Sequence, residues 1–442
     1  MRGMTQASRE AAARRGAGFA FGTFFVFMLL HQTDKLLIGP LTGQIIDTFH
    51  ITYTQMGLVN TVALVVGAVF YPLWGWLYDR YARPKLLALA SFIWGCTTWL
   101  NAIVPTYPLF LVTRASTGID DSSYPGIYSL ISDYFPPKKR GKMYGFLQVA
   151  QPVGYLLGTV LAMTLGSIWG WRNVFYLTGG LGILLAIVIL IGVKDQPRGS
   201  AEPELEGVEH LEKFKFSWKT VGQLFKKKSL IVLFLQGFIG VFPWNVITYW
   251  FFIYLGKERG YADAAMMMTM VPAVVIMAAG YPIGGILGDR LFKRTPNGRV
   301  IVGAGGVALG AILLWAAIKV PASNQLLFGI LLCSASLFIP FASPNVLSCF
   351  YDVTEPEIRA TTNAVQSFIE SAGSAAAPLL AGIIADRTSL ENSILLICTV
   401  AWALCFLFFI FVGKFMPRDI EALKAKLRER AAEAAAGGAP IA

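Results

Sequence analysis

Apolar runs of about twenty residues recur along this chain, and a helix of that length is what crosses roughly 30 Å of hydrocarbon. Twelve such runs fall near 17–42, 55–78, 86–104, 107–132, 143–165, 173–193, 229–256, 264–288, 300–318, 325–349, 360–385 and 392–413. Inside lipid no water serves the backbone, so each N–H and C=O is satisfied within its own segment, and such runs become helices. Composition agrees: the 442 residues are 55% hydrophobic and 14% charged, against about a quarter charged in soluble domains. The first run follows a basic arm (Arg2, Arg9, Arg14, Arg15) without a small-residue cleavage site, so it reads as a retained span and not a removable signal.

The formal net charge of +11 suggests a nucleic-acid partner at first sight. The basic residues, however, lie in short loops between apolar runs, which excludes that class. Their distribution orients the chain. Arg172, Lys257, Arg259, Lys319 and Arg387 fall on one side, Lys35 and Arg114 fall inside spans, and the remaining thirty of 37 lie on the side of the N-terminus. By the positive-inside rule, both termini are expected to be cytoplasmic, in a plasma (inner) membrane. The five cysteines, Cys96, Cys333, Cys349, Cys398 and Cys405, stand singly in apolar runs with no metal-ligand spacing, so they read as small hydrophobes.

The only long polar stretch inside the chain, 194–228, divides the spans six and six. The expected organisation is therefore an N-terminal arm (1–16), a six-helix bundle (17–193), a linker (194–228), a second six-helix bundle (229–414) and a tail (415–442). The halves echo one another. GWLYDRYARPK at 75–85 and GILGDRLFKRTPNGR at 285–299 both place G-x-x-x-D-R after the second span of their half. RGKMYGFLQ from Arg140 and RATTNAVQ from Arg359 form a weaker pair. The fold class expected is an all-α membrane protein of twelve transmembrane helices in two pseudo-symmetric six-helix bundles, a transporter plan with its site between repeats.

These motifs resemble the major facilitator superfamily, whose loop motif is G-x-x-x-D-R/K-x-G-R/K-R/K. Gly75, Asp79, Arg80, Arg83 and Lys85 match it, with Ala82 at the usual glycine and Pro84 interrupting the basic pair; Gly285, Asp289 and Arg290 match the repeat. The resemblance implies that these residues gate the conformation. The first half is most similar to the Spinster group. HQTDK at 31–35 resembles its N-Y-x-D-R, and TRASTGIDDSSY at 113–124 resembles its T-R-x-x-x-G-x-G-E-A-S-Y. Asp34, Lys35, Arg114, Asp121 and Tyr124 match, while Asp120 stands where glycine is usual. GWRNVF and FPPKKRG are also similar to the anion:cation symporter group. The Spinster resemblance implies an amphiphilic or anionic substrate, such as a lysolipid; the symporter resemblance implies an organic anion moved with protons.

A charge at mid-bilayer costs about 2.5–3.5 kcal/mol even on lenient insertion scales, so the charges of RASTGIDDSSY need a hydrated or paired setting. Seven residues make almost two helical turns, which puts Arg114 and Asp121 on one face about 10 Å apart. Asp120 is rotated by about 100° toward another helix or the cavity wall. Asp34 and Lys35 fall at a similar depth in the first span, where Asp34 is in reach of Arg114. The candidate proton-coupling residues are Asp34, Asp121 and Glu370. The candidate substrate-binding residues are Lys35, Arg114, Asp120, Tyr124, Asn245 and Trp244. The alternative is a fixed salt-bridge network pinning the first span to the fourth.

For Trp244 and Trp250 the simpler alternative is an aromatic belt at the membrane interface, and for Glu370 a local hydrogen bond at a helix contact. His31 reads as a packing histidine, and His50 and His210 as loop residues. Gly145, Gly154 and Gly158 keep an antiporter-motif spacing that allows close helix packing, with Thr159 at the expected proline. In the tail, Ile420, Leu423 and Leu427 form one stripe of an amphipathic helix. No GxSxG, HExxH or Walker pattern occurs, so hydrolytic or ATP-driven chemistry finds no support. The expectation is a secondary transporter working by alternating access and not an enzyme; the alternative from another class is a non-transporting membrane receptor or lipid scramblase on the same fold. The transporter would act as a monomer without cofactor or metal, with a small-molecule or lipid substrate, protons and membrane lipids as its partners.

Overall fold

A computed structural model of the chain describes residues 6–123, 125–135, 137–196, 222, 224–354 and 359–437. Tyr124, His210 and most of the 194–228 linker lie outside them, as do the side chains of Asp79 and Leu427. The described residues form helices α1 (Gln6–Leu36), α2 (Ile38–Phe49), α3 (Tyr53–Arg80), α4 (Arg83–Ile103), α5 (Tyr107–Asp121), α6 (Pro125–Tyr134), α7 (Pro137–Trp169) and α8 (Trp171–Gly192). There follow α9 (Lys228–Ile253), α10 (Asp263–Phe292), α11 (Gly298–Lys319), α12 (Gln325–Phe338), α13 (Ala342–Val353), α14 (Arg359–Arg387) and α15 (Leu390–Gly437). All twelve expected spans are helical. Eleven helical stretches are long and apolar enough to cross a membrane; the twelfth span is the charged one, divided into α5 of 15 residues and α6 of 10.

The divided spans follow from proline. Pro40 has no N–H to give the carbonyl of Leu36 and its ring crowds that carbonyl, so the first span breaks at Leu37 between α1 and α2. Pro125 disfavours helical geometry in the residue before it, and α5 ends in a tightened turn in which Ser123 N–H reaches the Asp120 carbonyl at 2.9 Å. In the tenth span Pro340 sits in a single 3₁₀ turn, Ile339–Phe341, between α12 and α13. The fourth and tenth spans, each the fourth of its half, are therefore broken alike.

Two compact units emerge. The first comprises 1–213 with 248–267 and 378–390; the second comprises 214–247, 268–377 and 391–442. In the first, α4 packs along α8, α1 along α7 and α3 along α5, around a core that includes Phe24, Phe27, Trp94, Leu130, Leu147 and Leu185. Close approach is built in by glycine: a Cβ on Gly118 of α5 would lie 2.2 Å from the Ala63 carbonyl oxygen of α3. One on Gly158 of α7 would lie 2.7 Å from the Thr33 oxygen of α1.

Where the first span ends, this unit is closed by polar contacts. Asp386 accepts from the N–H groups of Tyr53 and Thr54 at 2.9 and 2.7 Å, capping α3. Lys257 pairs with Asp47 at 2.6 Å, and Glu258 accepts from Leu390 N–H at 2.6 Å. Trp250, expected in an interface belt, is instead fully buried here. Its indole N–H reaches the Pro378 carbonyl at 3.2 Å and its ring stands edge-on to Tyr53.

The paired loop motifs end in paired clasps. Arg83, at the start of α4, contacts Asp133 near the end of α6; Arg299, at the start of α11, contacts Asp352 near the end of α13. Arg299 also binds Asp289 at 2.8 Å. Arg80 lies over the Trp76 ring at 5.4 Å, and Arg290 is exposed. No side chain or backbone comes within 4 Å of a Cβ built on Gly75, and at Gly285 the nearest is Pro344 at 3.6 Å.

The tail continues α15 without interruption. Ile420 and Leu423 are buried, and Asp419 accepts from the Ser229 hydroxyl at 2.5 Å. His50 closes α2 in the left-handed conformation at φ 52°.

Candidate functional site

The ionised residues of the first and fourth spans meet inside the first unit. His31 lies one turn before Asp34 and Lys35 on α1, and its Nε2 stands 3.1 Å from Asp120 Oδ2 and 3.5 Å from Asp121 Oδ1. Lys35 Nζ stands 3.2 Å from the other Asp121 oxygen. Thr97 Oγ1 donates to Asp120 Oδ1 at 3.3 Å from α4. His31 and Asp120 are both 2% exposed, whereas the side chains of Lys35 and Asp121 stay 26% and 16% open. Asp120 thus faces a neighbouring helix, and the histidine read as mere packing joins both carboxylates. Its ring does stack on Phe27, with Trp94 edge-on.

Asp34 does not pair with Arg114. Its Oδ2 accepts from Trp94 Nε1 and Thr98 Oγ1, both at 2.9 Å, and its Oδ1 from Thr178 Oγ1 at 2.5 Å. The reason is direction: Asp34 points between α4 and α8, which bring three neutral donors to it, while Arg114 lies on another face. The buried polar residues of GCTTW in α4 and Thr178 in α8 were the signal for this pocket, since a hydroxyl or indole inside an apolar span needs a partner.

Arg114 is 5% exposed, and its Nε meets no hydrogen-bond partner among the described residues. No ion pair involving it is formed there either. Guanidinium is always charged and offers five donors, so this is a desolvated cation with unused hydrogen-bonding capacity. His31, Asp120 and Asp121 bring ligand-type atoms within 4.8 Å of one another. The Lys35 ammonium already supplies the cation there, so the arrangement is an ion-pair cluster and does not need a metal.

The remaining candidates belong to the second unit. Glu370 Oε1 accepts from Gln366 Nε2, one turn back on α14, at 2.5 Å. Asn245 Nδ2 gives to the Val241 carbonyl at 2.9 Å and to Ser374 Oγ at 3.1 Å, joining α9 to α14. Trp244 is 38% exposed, and the Oε1 atoms of Gln236 and Gln366 are buried without hydrogen-bond partners among the described residues. Asp133 and Asp352, the acceptors of the two clasps, went unremarked in sequence because each is a lone aspartate at a helix end.

Fold and site together define a multi-pass helical membrane protein with a charged cluster in its core. Residues 19–378 match the Major Facilitator Superfamily. The chain belongs to that superfamily, a class of membrane transporters and not of enzymes. It is 29% identical over 391 residues to protein spinster of Drosophila melanogaster, which covers 86% of this chain. The chain spans only 64% of that relative's length. It is 25% identical over 429 residues to the probable L-galactonate transporter of Escherichia coli K12, covering 91% of each. The fold is similar to the crystal structure of a bacterial homolog of the human lysosomal transporter Spinster in an inward-facing, unoccupied conformation. There the TM-score is 0.81 at 19% identity, covering 91% of this chain and 98% of that one.

Proposed function

We propose that this chain carries a small anionic or amphiphilic substrate across the membrane by alternating access, with Arg114 as the anion ligand and protons as the coupling ion. The observation that carries the reading is the unpaired guanidinium. A buried guanidinium with hydrogen-bond donors unused is costly, and an anionic group that arrives and leaves is the partner that makes it useful. Lys35 stands beside it in role, already half-engaged by Asp121. The name of the galactonate relative favours a sugar acid; the alternative, a lysolipid, is what the resemblance of the first half to the Spinster group implies.

The chain is organised as two bundles, 17–193 and 229–414, with the paired loop motifs and the clasps of Arg83 and Arg299 holding one conformation. Glu370, Asn245 and Trp244 contribute from the second half, and Tyr124 from the fourth span. Both termini face the cytoplasm of an inner membrane, as the basic bias supports; the protein acts as a monomer among membrane lipids.

Flux of L-galactonate and of a lysophospholipid into proteoliposomes, with and without a pH gradient, tests the proposal. Arg114→Ala is expected to cut flux of the true substrate about thirtyfold or more, the scale of losing one buried charge-assisted contact. Wild-type flux in that variant, with the protein folded, removes Arg114 from the mechanism.

A further inference from the structure

We infer that the exchangeable proton of this protein is carried by His31 hydrogen-bonded to Asp120, and not by Asp34. Both oxygens of Asp34 already accept hydrogen bonds from three neutral donors, whereas His31 keeps a buried ring nitrogen with no partner among the described residues. The cluster then contains Asp34, Asp120 and Asp121 against Lys35 and Arg114, one negative charge in excess. A single proton on His31 brings the total to zero, the state a low-dielectric interior favours.

The geometry also says where that proton goes. Nε2 faces the oxygens of Asp120 and Asp121, so it already carries hydrogen. Nδ1 is buried and meets no partner among the described residues. Its lone pair takes the proton from a hydronium ion, leaving water, without any existing hydrogen bond having to break. The imidazolium formed is then stabilised by the stacked Phe27 face.

The groups that bear on this titration come from every neighbouring helix. The charges acting on His31 are Asp120, Asp121 and Lys35, with Asp34 one turn along α1 and Arg114 on α5. From α4 come the neutral Trp94, Thr97 and Thr98. From α8 comes Thr178 against Asp34. The titratable residue on the stretch of α7 between Gly154 and Gly158 is Tyr155, which is buried.

A second observation is independent of charge counting. In the two Spinster-like stretches, His31 stands at the asparagine of N-Y-x-D-R and Asp120 at the second glycine of G-x-G-E. These two departures, 89 residues apart, are in contact with each other. A histidine without the aspartate would lack its acceptor, and the aspartate without the histidine would be a buried surplus charge. They make sense as one unit.

The coupling of this proton to cargo rests on the anion-carrier reading above. An anion arriving at Arg114 leaves the cluster with one excess negative charge if His31 is protonated and two if it is not. Anion and proton therefore strengthen each other's binding, and the effect is reciprocal.

The chain has only three histidines, which makes the test direct. In full-length protein carrying 13C-labelled histidine, one NMR resonance should disappear in His31→Asn. That resonance should titrate between about pH 5 and 9 and move in Asp120→Asn. Affinity for L-galactonate or lysophosphatidylglycerol, each carrying one net negative charge, should fall by up to about tenfold per pH unit above that transition. The slope should flatten in the double variant His31→Asn with Asp120→Gly, which restores a neutral pair of compatible size. A His31 that does not titrate over this range, or a slope that survives in a folded double variant, overturns the inference. If neither probe binds while His31 titrates and responds to Asp120, the proton site stands and the anion-carrier reading falls.

Discussion

Asp34 shows how much a single carboxylate depends on its surroundings. Three donors from α4 and α8 converge on it, and an amide at this position presents an N–H to at least one of them. Asp34→Asn is therefore expected to destabilise the protein by about 1–3 kcal/mol, the penalty for a buried donor left unsatisfied. Trp94→Phe removes one donor while keeping most of the ring and should cost about 1 kcal/mol. Thermal unfolding in detergent, followed by fluorescence, checks both. An unchanged midpoint in Asp34→Asn would mean that its three donors are not what holds α1 to α4 and α8.

The charged residues of RASTGIDDSSY were visible in sequence because charge is conspicuous among apolar neighbours. The neutral partners of Asp120 and of Asp34 were not, because threonine and tryptophan are common in membrane helices for other reasons.

Between elements, backbone separation decides what substitutions do. Gly118 of α5 lies against the Ala63 carbonyl and Gly67 nitrogen of α3, so any Cβ there forces two backbones apart. Gly118→Val should destabilise by about 1–3 kcal/mol, as overpacking does. Gly75, although part of the loop motif, faces open space, so Gly75→Ala should leave the midpoint unchanged and affect only transport if the motif closes against something in another conformation. Comparing melting temperature and flux for the two variants separates a packing glycine from a gating one.

Helix positions were legible from apolar run lengths, and the breaks at Leu37 and Ser122–Ser123 trace to Pro40 and Pro125. The continuation of α15 through the tail was less so. The Ile420 and Leu423 stripe showed amphipathicity, but only its burial shows that the stripe is occupied.

Across the whole molecule, the closure at the end of the first span brings together segments more than two hundred residues apart. Asp386 caps α3 through two charge-assisted hydrogen bonds, each worth about 1.5–3 kcal/mol. Opening this end has to break them. In a background without native cysteines, a Tyr53→Cys probe should react with an impermeant maleimide about tenfold faster or more when Asp386→Ala is added, since one such bond exceeds the 1.4 kcal/mol of a decade. An unchanged labelling rate would show that the cap does not hold this end shut.

Twelve helices and an internal echo followed from local chemistry alone: a bilayer has one thickness, and a run of apolar side chains either spans it or does not. Which carboxylate meets which cation was decided elsewhere. Asp34 and Arg114 lay at compatible depths, yet helix rotation turned the first toward hydroxyls and left the second unpaired. His31 meets Asp120 in a unit where Gly154 and Gly158 let α7 lie against α1 and Gly118 seats α5 on α3. Depth is written along a helix one residue at a time; facing is settled by how several helices pack at once, and no single segment contains it.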